Sequence, residues 1–269
     1  YRSVHEDSTG ICNLDNTHER PRYNCLTSHF QSFLMNTILW KANERGTTNI
    51  GWLRSRHGFS FGGYRNPDNM HFGRLRVFND DSVAPGAGFG THGHENMEII
   101  SIPLKGTIVH RDSLGHESPL RPGDVQAMSA GKGILHSEFN GSDTDDLEFL
   151  QIWIMPNTLG VEPRYAETTI GWPFPQGVTQ VVGPQGGGAP LAIHQDASLS
   201  IVRLSNGDRT ELAIAAGRLG YVFVIDGSVR VADADATTRD AVGFVSDGTT
   251  LLTATSDVTA VVIDLPAEP

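Results

Sequence analysis

Two short segments concentrate the residues best able to do chemistry: Thr91-His92-Gly93-His94 and Leu135-His136-Ser137-Glu138. On an extended strand the side chains at i and i+2 share a face, so His92 pairs with His94 and His136 with Glu138. If the two strands are neighbours, three imidazoles and a carboxylate converge on one point. That donor set suits a first-row transition metal and leaves coordination positions open for substrate or oxygen. Other apparent motifs dissolve on inspection. His94-Glu95-Asn96-Met97-Glu98 lacks the second histidine of a zinc-protease helix. Gly86-x-Gly88-x-Gly90 and Gly131-x-Gly133 lack the lysine and hydroxyl residue of a phosphate loop, and both lead into strands.

The elements that must position these residues read as short strands. Gly51 to Phe61 alternates in part, with a bend at its glycines. Arg74 to Phe78 reads as a strand stopped by the turn formers Asn79-Asp80-Asp81. Ala84 to Gly90 is a loop delivering the chain to the first histidine pair. Glu98 to Leu104 and Ile108 to His110 are strands, with a hairpin tip at Ser113 to His116. Arg121-Pro122-Gly123-Asp124 makes a tight turn, and Leu147 to Met155 is a long apolar strand. A Pro- and Gly-rich stretch at 156–190 holds a linker at 166–177, and from 178 onward regularly spaced short strands argue a second sandwich or barrel. Gly217 and Gly227 stand where the first half has Gly123 and Gly106, so the halves resemble one another coarsely. Only the first has the paired ligands.

Composition bounds the rest. The 269 residues suffice for one large or two ordinary domains, and 38% apolar with 19% charged content fits a globular protein. Gly 30 and Pro 14, with many short apolar runs, favour an all-β class. A formal charge of −11 opposes binding to a nucleic-acid backbone. No apolar run approaches the roughly 18 to 20 residues of a membrane span. Both cysteines, Cys12 and Cys25, fall in the first 34 residues, which removes a disulfide framework from the body and makes a cytoplasmic location the expectation. Residues 1–34 are polar, mixed in sign and aperiodic; they read as a disordered extension or translated upstream sequence, with His5, His18 and His29 as bystanders. Asn140-Gly141-Ser142 reads as an Asn-Gly turn rather than a glycan acceptor.

Gly86, His92, His94, Glu98 and Gly106 fill the first cupin motif: a glycine, five residues, His-x-His, three residues, a glutamate, then a glycine. The second motif is looser: Gly123, Gly131, His136 and Asn140 match, Ser129 replaces its proline, and the histidine arrives two residues late. The stretches FNDDSVAPGAGFGTHGHENMEIIS, RPGDVQAMSAGKGILHSEFN and LQIWIMPN resemble the pirin family and its bacterial quercetin-dioxygenase-like members. The likeness runs over about 36–269 and includes LAIHQDASL in the second half.

The resemblance implies an all-β bicupin of two tandem cupin barrels, each a double-stranded β-helix or jelly roll. A metal-binding domain would span 35–165 and a degenerate cupin 178–269. It implies one divalent transition metal on His92, His94, His136 and Glu138, iron foremost, with nickel, copper, cobalt, manganese and zinc as alternatives. Glu98, a ligand in many other cupins, would be structural. The implied substrates are a flavonol such as quercetin and O2, the central ring opening with loss of carbon monoxide and Glu138 doubling as catalytic base. The competing implied role is a non-catalytic, metal- or redox-sensing partner of a regulatory protein; neither nucleic acid nor membrane is expected as a direct partner. His57, His71, His110, His116 and His194, lacking a same-face partner, read as ordinary satisfied histidines. Phe89, Met97, Met128, Phe139 and Trp153 read either as lining of an aromatic-substrate pocket or as barrel core.

Overall fold

The computed structural model describes residues 37–267, and every regular element within them is a β-strand. The extension at 1–34, with its two cysteines and His5, His18 and His29, lies outside the described residues. The first half contains β1 (Ile38–Trp40), β2 (Gly46–Asn49), β3 (Leu53–His57), β4 (Leu75–Val83), β5 (Gly88–His94) and β6 (Glu98–Lys105). It continues with β7 (Ile108–Asp112), β8 (Glu117–Leu120), β9 (Asp124–Ser129), β10 (Ile134–Asn140), β11 (Leu147–Ile154) and β12 (Arg164–Thr169). The second half runs through β13 (Gly177–Pro184), β14 (Leu191–Ile193), β15 (Ser198–Leu204), β16 (Arg209–Leu212) and β17 (Leu219–Asp226). It ends with β18 (Ser228–Val231), β19 (Ala234–Thr237), β20 (Ala241–Val245), β21 (Thr250–Ala254) and β22 (Val258–Leu265).

Four sheets result, two to each barrel. The first barrel has a large sheet ordered β12-β9-β6-β11-β4-β3-β2 and a small one ordered β5-β10-β7-β8. The second repeats the plan with β1-β20-β17-β22-β15-β13-β14 and β16-β21-β18-β19. The fold is thus the expected pair of tandem all-β barrels. One strand crosses between them: β1 precedes the first barrel in sequence but pairs with β20 of the second, Trp40 lying opposite Ala241. Residues 166–169, placed in a linker by composition, continue β12, with Ala166 opposite Ala127 and Thr169 opposite Asp124 on β9.

The most consequential departure from the sequence reading is at Asn79-Asp80-Asp81. These turn formers do not stop the strand; β4 continues through them to Val83, paired on one side with β11 and on the other with β3. A strand held on both sides overrides local turn preference, because its backbone groups are already satisfied in the ladder. Alternation then turns Asn79 and Asp81 inward and Asp80 outward, where Asp80 Oδ1 accepts from Arg239 Nη1 of the second barrel at 2.7 Å.

Alternation also sorts the core. Phe78, Ile100, Ile102, Leu150 and Ile152 of the first large sheet share one cluster with Tyr221, Phe223, Val261 and Ile263 of the second, so the two large sheets pack face to face. Phe78 and Phe223 meet with ring centroids 4.6 Å apart. Inside the second barrel a single continuous cluster, including Val222, Val224, Val242, Leu252 and Val262, fills the space. Inside the first there are two smaller clusters, one around Ile108, Leu120 and Phe149, the other around Ile99, Met128 and Ile134. Between them lies a layer of buried polar side chains: Ser101, His110, Gln126, His136, Glu138 and Gln151. On β11, for example, the inward residues run Phe149, Gln151, Trp153.

Candidate metal centre

The polar layer brings the two sequence pairs together. β5 and β10 are antiparallel neighbours, with His136 directly opposite His92; an irregularity in the ladder then sets Glu138 opposite Phe89. The ligand atoms of His92, His94 and His136 all lie within 4.8 Å of one another, and His92 Nε2 is 3.1 Å from His136 Nε2. Glu138 joins through His136, since one atom each of His110, His136 and Glu138 also fall within 4.8 Å. The Glu138 carboxylate is held on both oxygens: Gln151 Nε2 donates to Oε2 at 2.7 Å, and Ser101 Oγ lies 3.1 Å from Oε1.

Whether this cluster suits a cation can be tested on its own chemistry. His92 Nδ1 sits 2.8 Å from the Gly90 carbonyl, to which only an N–H can donate, so the ring meets the cluster through Nε2. Burial, and secondarily the imidazole of His92, lowers His94 to about 4. Burial, then the neighbouring histidines, lowers His136 to about 3. Both are therefore neutral near pH 7, as ligands must be. Burial pushes Glu138 up to about 7 against the hydrogen bonds from Ser101 and Gln151. Neither of those partners carries positive charge. Three imidazole nitrogens and a buried carboxylate fit a divalent transition cation, which would supply the missing charge.

Above the cluster is a cavity of about 380 Å³, the size of a small-molecule site. His92, His94 and Glu138 form part of its lining, and Trp52, Phe61, Phe89 and Trp153 give it aromatic walls. Of the five pocket-or-core candidates, Phe89 and Trp153 line this cavity, whereas Met128 is fully buried in the core. Trp153 also stands edge-on to His94, with ring centroids 4.9 Å apart.

With this geometry in view, relatives are informative. The sequence model of the pirin family matches residues 40–154, and that of the quercetinase C-terminal cupin domain matches 180–265. A quercetin 2,3-dioxygenase of Escherichia coli (strain K12) is 41% identical over 228 residues, covering 85% of this chain and 98% of that protein. The chain belongs to the pirin family. A pirin-like protein of Caulobacter vibrioides is 37% identical over 228 residues, with 82% and 96% of the two chains covered. The crystal structure of the bacterial pirin YhhW from Escherichia coli, in complex with nickel(II), matches with a TM-score of 0.81 at 41% identity, spanning 86% of this chain and 99% of that one. The two barrels of this pirin are accordingly cupins.

Within the pirin frame, several single residues take on clear positions. Glu98 points away from the histidine cluster: it lies on the same face of β6 as Ile100, and Ser129 Oγ donates to its Oε2 at 2.6 Å. Burial raises its pKa, against Ser129, the His194 backbone and the charge of Arg164. His57 is an ordinary satisfied histidine, bonded to Thr48 Oγ1 at 2.8 Å and to Asn79 Oδ1 at 2.9 Å. His110 departs from the expectation. It is wholly buried opposite Glu138, its Nε2 is 3.2 Å from Asp112 Oδ2, and its Nδ1 has no partner among the described residues. Its same-face partner is Asp112, two residues on, and that spacing was the available signal. Asn79 and Asp81, also lining the cavity, were hidden by their turn-forming character.

Proposed function

We propose that this pirin is a metal-dependent flavonol dioxygenase that opens the central ring of quercetin-like substrates with O2, releasing carbon monoxide. In this reading His92, His94, His136 and Glu138 hold one divalent cation in the N-terminal domain (35–165), and the domain at 178–269 is a degenerate cupin that buttresses it. The observation that carries the reading is the cluster of three imidazoles and a buried carboxylate beneath an aromatic-walled cavity, with His92, His94 and Glu138 in its lining. The 41% identity to a quercetin 2,3-dioxygenase supports it. Iron is the first choice of metal, although the related pirin structure holds nickel(II). When bound, the cation supplies Lewis-acid stabilisation of an ionised hydroxyl and an electron-transfer centre for oxygen chemistry.

The protein's own part is to take and hold the hydroxyl proton. The 3-hydroxyl of the flavonol must ionise, and Glu138 is the carboxylate in the cavity lining that would take its proton, acting off the cation because a cation-bound carboxylate is the weaker base. Ser101 makes the proton's new position tolerable. Its Oγ stands 3.1 Å from Glu138 Oε1 and 2.8 Å from Gln151 Oε1. With Glu138 ionised, the hydroxyl donates to the carboxylate. With Oε1 protonated, Ser101 turns its hydrogen to Gln151 and accepts from Glu138.

The test is anaerobic loading with iron, nickel, copper and cobalt in turn, followed by oxygen uptake with a panel of flavonols. Uptake with at least one metal is expected, and none with any metal would leave the interaction role as the better reading. Glu138→Gln should lose both bound metal and turnover; retention of both in full refutes its assignment.

A further inference from the structure

The N-terminal barrel contains a second buried carboxylate that the proposed chemistry does not use. Asp81 is 4% exposed, lies on the inward face of β4, and lines the same cavity as His92, His94 and Glu138. Its Oδ1 is buried without a hydrogen-bond partner among the described residues. The other polar groups of this wall are engaged: Asn79 with His57, Gln151 with Glu138, and Ser101 with both Glu138 and Gln151. A buried carboxylate oxygen with no donor destabilises the fold, so its retention calls for something that arrives later. Around it the cavity is aromatic, with Trp52, Phe61 and Phe89 in its lining. The complement of that surface is a flat ring carrying a hydroxyl.

Resting on the reading that the cavity takes a hydroxylated aromatic, we propose that Asp81 accepts a hydrogen bond from a phenolic hydroxyl other than the one that meets the metal centre. It is thereby a specificity-determining residue that favours polyhydroxylated substrates. Burial pushes the Asp81 carboxyl up to about 7, with Ser55 and the charge of Arg45 pulling the other way and the charges of Asp80 and Glu138 adding to the rise. A phenolic donor stabilises the ionised form and offsets that burial. Aromatic walls accept any ring of suitable size. The carboxylate is what distinguishes one substituted ring from another, because a site built to pair with a hydroxyl penalises the analogue that lacks it.

The experiment is equilibrium binding to the metal-loaded protein without oxygen, using quercetin and 3-hydroxyflavone, which share the metal-directed hydroxyl but differ in the others. Tryptophan fluorescence serves as the readout, since Trp52 and Trp153 line the cavity. The wild type should prefer quercetin by about ten-fold, the range of one charge-assisted hydrogen bond. Asp81→Leu should abolish most of that ratio, and Asp81→Asn, with a neutral acceptor oxygen, should retain part of it. Both should keep their metal content and bind 3-hydroxyflavone much as the wild type does. An unchanged ratio in the variants, or equal loss for both ligands, overturns the assignment. So does a wild-type ratio near unity, which requires no variant to fold. If the wild type binds neither compound, the flavonol reading itself falls and this assignment with it, a failure visible before any substitution is made.

Discussion

Ser101 has one hydrogen to share between two acceptors, and removing it separates proton handling from metal binding. In Ser101→Ala, Glu138 keeps its bond from Gln151 but loses the group that accommodates a proton on Oε1. Turnover should fall by about ten-fold, less than the roughly hundred-fold or more expected from losing a general base outright, at unchanged metal stoichiometry; steady-state rates beside metal analysis check this. Asp81 gives a prediction in stability. Its carboxyl moves from an ordinary 3.8 to about 7 on folding, so the folded state holds the proton more firmly. That favours folding at low pH, and the advantage disappears as pH rises through about 7. Asp81→Asn should therefore stabilise the protein by about 2–4 kcal/mol near pH 8 and by far less near pH 4, read from melts at both. Two same-face pairs pointed to the four proposed ligands from sequence, and the family resemblance set Glu98 aside. Asp81 was not legible there, because aspartate beside asparagine signals a turn whenever the neighbouring strands are unknown.

At the level of elements, the centre depends on how closely β5 approaches β10. Gly88 makes that approach feasible: a Cβ there would lie 2.4 Å from the Glu138 carbonyl oxygen and 2.5 Å from Phe139 Cα. Backbone cannot yield as a flexible side chain can, so Gly88→Ala must push the strands apart and carry His92 and His94 away from His136. Metal affinity should drop by about ten- to hundred-fold, with about 1–3 kcal/mol lost from stability. Gly90→Ala, where an added Cβ meets nothing within 4 Å, is the control and should leave affinity nearly unchanged. Competition against a chelator of known affinity measures both. Sequence periodicity was sufficient to place β6, β7 and β11. It could not reveal the irregularity between His136 and Glu138, which arises only when β5 and β10 meet.

For the whole molecule, the decisive feature is a core shared between the barrels. Phe223 belongs to the second barrel, yet its ring packs on Phe78 of the first and under the Arg45 guanidinium, 5.1 Å from its centroid. Phe223→Ala should cost about 3–5 kcal/mol and lower the midpoint of one common transition, so that the two barrels are lost together. Two separated transitions in calorimetry would contradict this. The tandem arrangement was readable from turn spacing, but the swap of β1 was not, since sequence order says nothing about which sheet edge a short strand will join. The position of β5 has a kinetic consequence. It is the edge of its sheet and none of its residues is fully buried, so two of the four proposed ligands ride on a strand anchored along one side only. Fraying of an edge requires far less free energy than unfolding either barrel. A cation held there exchanges with the medium while the protein stays folded, so the identity of the occupant follows supply. Folded protein loaded with nickel and then incubated with excess cobalt should swap ions much faster than it unfolds, as followed by the visible absorption of the cobalt form.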